Sequence, residues 1–157
     1  MEKTGLHYHS ILLKRAIPPD TQTAQANLQK ALHDLEQLKK QNAGMAALRK
    51  AASFAEGAQM ILLKSNTKEN NEENKTIETG ILRINNTVIV CSPFELFSSL
   101  ALLLKEKKDV ECFGYANCLE GYLADTDAWD NSDYEALSSD FRRGEGERYI
   151  ELVGTLV

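Results

Sequence analysis

Glu95 is the first residue whose type and setting could do chemistry. It lies in Val88-Ile89-Val90-Cys91-Ser92-Pro93-Phe94-Glu95-Leu96-Phe97, which reads as a buried strand, a turn and the start of a helix. A carboxylate in a first helical turn faces the positive end of the helix dipole and stays ionised, and a strand end is where pockets form. The same placement also suits a residue that only stabilises the turn. Further on, Phe113-Gly114-Tyr115-Ala116-Asn117-Cys118-Leu119-Glu120-Gly121-Tyr122 runs from a strand into a turn rich in Gly and Asn. Such a turn offers backbone groups and phenol hydroxyls to a ligand. A phenolic oxygen can ligate a metal or donate to an oxyanion, or simply satisfy one hydrogen bond in a core. His7 and His9 flank Tyr8. Strand alternation would put both imidazoles on one face, a geometry that metals use and that surface histidines share.

The elements that must position these residues can be read along the chain. Leu6 to Ala16 reads as a strand stopped by Pro18-Pro19, since proline cannot donate to a ladder. Asp20 or Thr21 caps a helix whose stripe is Ala24, Leu28, Ala31, Leu32, Leu35 and Leu38, ending near Asn42 to Gly44. A second, Ala-rich helix over Met45 to Leu63 completes an N-terminal helical hairpin. Ser65 to Thr76 has no apolar side chain and predicts a flexible polar loop. Ile77 to Ile84 and Thr87 to Cys91 predict a β-hairpin about Asn85-Asn86, because Asn tolerates the positive φ of tight turns. A helix is expected over Phe94 to Lys107, with Pro93 just before it, and a short buried strand over Val110 to Ala116. Asn117 to Asp133 lacks the periodicity of a long helix, Tyr134 to Ser139 reads as strand or loop, and Tyr149 to Val157 as strand or helix. The sum is an α/β fold, layered, with a mixed sheet and an N-terminal helical hairpin, in one domain over residues 1–157.

Composition removes several classes of function. The chain has 157 residues, a formal charge of −5, a pI near 5.3, 43% hydrophobic and 26% charged residues. That is a globular composition, and the acidic balance argues against nucleic acid, which needs clustered Lys and Arg. The apolar run Leu100 to Leu104 stops at Lys105, so no segment predicts a transmembrane span. Cys91, Cys112 and Cys118 form an odd set without C-x-x-C spacing, which fits a reducing compartment. Met1 to Leu13 has no leader pattern, so the expectation is a cytoplasmic protein or a chain that starts within a longer one.

Taken in order, Pro-x-Glu-Leu-Phe, a strand, Gly-Tyr-Ala-Asn-x-x-x-Gly-Tyr-Leu, Asp-Tyr-Glu and Gly-Glu-Gly-Glu cover about Ile81 to Val153. This order resembles the C-terminal part of the catalytic domain of neutral/alkaline ceramidases and their bacterial relatives. The resemblance implies that Glu95 and Tyr122 are zinc ligands and that Tyr134 hydrogen-bonds the substrate carbonyl. Phe94 stands where the motif has glycine, and Ala124-Asp125-Thr126 where Pro-Thr or Thr-Thr is usual. The family's histidine ligands lie N-terminal to this region, and nothing before Ile81 matches their motifs, so His7 and His9 inherit no ligand role. The resemblance therefore implies zinc in a complete protein, an N-terminal part of the same catalytic domain as partner, and an acyl-amide lipid as substrate. This chain alone is expected to bind zinc weakly and to turn over nothing, since a catalytic zinc takes at least three protein ligands. The rival expectation is a non-catalytic module that forms an oligomer or pairs with another chain through Leu28, Leu32, Leu35 and Leu38 of the helical hairpin.

Overall fold

The computed structural model describes residues 4–67 and 72–157, and the fold is α/β with a mixed sheet. The chain divides into two compact units: residues 1–16, 72–126 and 139–157 in the first, and 17–71 and 127–138 in the second.

The first unit is built on a four-stranded sheet in the order β1-β2-β3-β5. β1 (Gly5–Lys14) pairs antiparallel with β2 (Asn74–Ile84), which returns as β3 (Thr87–Cys91) through Asn85, at φ 56°, and Asn86. β3 then pairs parallel with β5 (Glu111–Phe113), joined by a crossover through α3 (Ser98–Lys107). Such a connection is what parallel strands require. α3 and α6 (Glu145–Gly154) pack together, α6 against β1 and α3 against β5. Their apolar side chains enclose a core with Ile11, Leu13, Ile77, Ile81, Val90, Phe94, Phe141 and Tyr149. At its centre Phe94 meets Phe141 and Tyr149 edge to face, each with ring centroids 5.2 Å apart. That arrangement aligns ring edges with the negative faces of their neighbours. The Tyr149 hydroxyl, deep in this core, is 3.0 Å from the Thr79 hydroxyl, so two buried polar groups satisfy each other.

Beyond Leu12 the outer edge of β1 is closed by α6 and the segment before it. The Lys14 N–H donates to Glu145 at 2.8 Å, Arg148 donates to the Leu12 carbonyl at 2.6 Å, and the Arg142 N–H to the Lys14 carbonyl at 3.1 Å. Glu145 is buried and also meets Arg148 at 2.9 Å, which is how a carboxylate is tolerated there.

The second unit contains α1 (Thr21–Lys40), α2 (Met45–Asn66), all but the first residue of α4 (Thr126–Asp130), and α5 (Tyr134–Ser138). Asp20 caps α1, accepting from the Thr23 N–H at 2.9 Å. Ala31, Ala55 and Ala58, with Leu28 against them, let α1 and α2 approach closely, and Leu137 of α5 lies against Gly57. The segment 134–139, expected as strand or loop, is instead helical from Tyr134 to Ser138. Five residues with no alternating apolar row give a strand nothing to pair. The closing segment is also helical, since Tyr149, Ile150 and Val153 share one buried face. Of the polar stretch 65–76, Ser65 and Asn66 complete α2 and Asn74 to Thr76 open β2, while 68–71 lie outside the described residues. Among the described residues, no helix is long and apolar enough to cross a membrane.

Candidate functional site

The expected helical setting of Glu95 is not what forms. α3 begins only at Ser98, and Glu95 lies in a two-residue strand, β4 (Glu95–Leu96), paired in parallel with β6 (Tyr122–Leu123). The reason is backbone bonding. Residues 92–97 thread between two other segments and are hydrogen-bonded to both, which keeps them out of a helix. On one side the Ser92 N–H donates to the Phe113 carbonyl at 2.8 Å, and the Tyr115 N–H to the Phe94 carbonyl at 3.0 Å. On the other, the Glu120 N–H donates to the Pro93 carbonyl at 2.8 Å, and the Glu95 N–H to the Gly121 carbonyl at 2.9 Å. These bonds outweigh the first-turn preference of Pro and Glu, and the helix starts after Phe97 accepts from Ala101 at 3.2 Å.

The register sets Glu95 directly opposite Tyr122. Directly paired residues in neighbouring strands project from the same face, so the carboxylate and the phenol share one side of the β4/β6 ribbon. Both are half-buried. Phe94, one residue earlier, points the other way into the core and is fully buried. Phe94 thus anchors the turn from beneath, and alternation aims Glu95 outward.

A second phenol joins them. Interaction with the Glu95 carboxylate, with desolvation adding to it, pushes the Tyr115 phenol up to about 12. The residue sits in the left-handed region at φ 56°, as does Asn117 at 74°, and Gly121 follows at 77°. Gly114 lies so close to the neighbouring segment that an added Cβ would be 2.8 Å from the Phe94 carbonyl oxygen. Around this loop the Tyr8 hydroxyl donates to Asn117 Oδ1 at 3.3 Å, Lys75 pairs with Glu120, and Cys118 lies 3.8 Å from Glu120.

Of the residues singled out in the sequence, Glu95 and Tyr122 are therefore neighbours, whereas Tyr134 opens α5 in the second unit. His7 and His9 do alternate onto one face of β1, opposite Ile81 and Thr79. Tyr115 was visible in the sequence only as a member of the Gly-Tyr-Ala-Asn run. The signal for it is a bulky residue between Gly114 and Asn117, in a stretch of turn formers. Chemically the site offers one carboxylate and two phenol oxygens, hard donors suited to a cation or to hydrogen bonding a polar substrate.

No protein-family model matches this chain, no curated protein matches it and no solved structure matches it.

Proposed function

We propose that this chain is the C-terminal portion of a zinc-dependent, ceramidase-like hydrolase of N-acyl amides, inactive by itself. In this reading Glu95 and Tyr122 are zinc ligands and Tyr134 is the donor to the substrate carbonyl. The observation that carries it is the register: two residues far apart in sequence, paired as co-ligands only by the resemblance, lie opposite each other on adjacent parallel strands.

The donor chemistry fits in part. Carboxylate oxygen is an ordinary zinc donor and a phenol can join it, but a catalytic zinc takes three protein ligands and an open position. Among the described residues, no group of three or more His, Cys, Asp or Glu side chains could hold an ion. The remaining ligands belong, in this proposal, to the N-terminal part of the same catalytic domain. Zinc held there would lower the pKa of a bound water to near 7. This chain's own part is to present a fixed carboxylate beside a phenol and to keep both on one face. The substrate would be an acyl-amide lipid and the setting cytoplasmic, in keeping with free thiols at Cys91, Cys112 and Cys118.

The test is a zinc titration of the purified chain, read by competition with a chromogenic chelator, alongside Glu95→Gln and Tyr122→Phe. Weak binding by the native chain that either substitution removes is the expected result. Titrations indistinguishable among the three proteins refute the ligand assignment. One observation favours a second reading, an interaction module acting through α1: Leu32 is 47% exposed, apart from the alanine contact that holds the hairpin. Concentration-dependent size exclusion that Leu32→Glu abolishes would support it.

A further inference from the structure

We infer that the open stretch of β1, Leu6 to Ser10, pairs antiparallel with the same stretch of a second copy of this chain, with Tyr8 at the centre of the contact. The inference is independent of the zinc reading and uses a different surface from the leucine stripe of α1.

The ladder fixes which backbone groups are free. The Arg15 N–H donates to the Glu73 carbonyl at 2.8 Å, continuing the register in which Lys14 lies opposite Asn74. Bonded and non-bonded pairs alternate in an antiparallel ladder, so odd-numbered residues of β1 turn their N–H and C=O towards β2 and even-numbered ones turn theirs away. At the far end of the strand those outward groups are satisfied: the Lys14 N–H by Glu145, the Leu12 carbonyl by Arg148 and the Lys14 carbonyl by the Arg142 N–H. At Leu6, Tyr8 and Ser10 no partner for them lies among the described residues, and all three residues are exposed. Protein edges are usually blunted by proline, lysine or a bulge. β1 has neither proline nor lysine before Lys14, and it pairs with β2 residue for residue from Gly5 to Lys14. Its edge carries apolar side chains instead, with Leu6 46% and Tyr8 54% exposed. Symmetry selects a second copy as the occupant. A two-fold contact must be complementary to itself. Centred on Tyr8, the stretch is: Tyr8 meets its counterpart, Leu6 meets Ser10 of the second copy and Ser10 meets Leu6, each a bonded pair, for about six new backbone hydrogen bonds. The pairing ends where the edge is already filled, since the next outward carbonyl, at Leu12, is taken by Arg148. No Asp, Glu, Lys or Arg lies between Leu6 and Ser10, so no like charges meet across the axis at neutral pH. Two four-stranded sheets become one continuous sheet.

The experiment is sedimentation equilibrium of the chain over a wide concentration range, where a weak monomer–dimer equilibrium is expected from so small a contact. Tyr8→Pro removes the central outward N–H and leaves the β1–β2 bonds, which use the odd positions, so it should weaken the dimer by about 10-fold or more while circular dichroism stays native. Leu32→Glu should leave this dimer intact. A second measurement tests the register without proline. In a Cys118→Ser background, His7→Cys combined with His9→Cys should give an intermolecular disulfide on treatment with diamide. In this register residue 7 stands directly opposite residue 9 of the second copy in a non-bonded pair, with Cα atoms about 4.5 Å apart, within disulfide reach. His7→Cys alone, which faces its counterpart only diagonally, should cross-link far less. A monomer at every concentration overturns the inference, as does a dimer that Tyr8→Pro leaves untouched or that Leu32→Glu dissolves. Equal cross-linking by the single and double variants overturns it too, and that comparison decides alone if Tyr8→Pro does not fold.

Discussion

Replacing Gly114 with alanine should damage this protein more than its exposed position suggests. The new Cβ would stand 2.8 Å from the Phe94 carbonyl oxygen, about 0.6 Å inside ordinary contact, and the obstacle is backbone, which cannot rotate away. The two segments must part, and two hydrogen bonds span the gap: Tyr115 N–H to Phe94 at 3.0 Å and Ser92 N–H to Phe113 at 2.8 Å. Lengthening both by that amount forfeits most of each, about 1 kcal/mol apiece. With the residual overpacking, the expected loss is about 2 to 3 kcal/mol. For a chain of this length that corresponds to a fall of about 5 to 10 °C in thermal midpoint, measured by calorimetry or circular dichroism. Gly121 is the informative comparison. It has φ 77° and open space around it, so its requirement is conformational only. Gly121→Asn should be tolerated, whereas Gly114→Asn should cost as much as Gly114→Ala. A loss below about 0.5 kcal/mol for Gly114→Ala, or equal rescue by Asn at both positions, refutes the close-approach argument.

Other expectations follow from the core and the caps. Burial, against the lowering effect of its hydroxyl partners, pushes Tyr149 up to about 12 from an ordinary 10.0. Its proton is thus held more tightly folded than unfolded: stability should be intact below pH 10 and fall between pH 10 and 12, by about 2 to 3 kcal/mol in total. Urea midpoints across that window should show the slope, and Tyr149→Phe should flatten it. Phe94→Ala, which empties the space between Phe141 and Tyr149, should cost about 3 to 5 kcal/mol in urea unfolding at neutral pH. Asp20→Ala should lower the thermal midpoint by removing the cap of α1. Because the bonds to Thr23 hold the Asp20 carboxyl below its ordinary 3.8, the difference from native should be full at neutral pH and vanish as the pH falls through that range.

Where local chemistry decides the backbone, the sequence was legible. Asn85-Asn86 announced its hairpin, Asp20 its helix, and the stretch Leu6 to Ala16 its strand. Where distant segments decide it, the sequence misled. Ser92-Pro93-Phe94-Glu95 has the composition of a helix start, and only the pairing partners at 113–115 and 120–123 keep it out of a helix. β4 and β6 have two residues each, too few to show alternation, so the register that sets Glu95 opposite Tyr122 had no signature in composition or periodicity. The resemblance named those two residues together, but not Tyr115, which lies beside Glu95 at a φ angle that tyrosine seldom adopts.

The second unit leaves the first after Ala16 and the chain returns at Glu72, where β1 and β2 are already side by side: Lys14 lies opposite Asn74, and the Arg15 N–H donates to the Glu73 carbonyl at 2.8 Å. Antiparallel strands that close need only a two-residue turn to join them. The sheet is therefore indifferent to how much chain is spliced between these strand ends. Relatives of this protein should differ in length at this seam more than within the sheet, and a reporter domain with neighbouring termini could be grafted there without disturbing the strands that carry Glu95 and Tyr122.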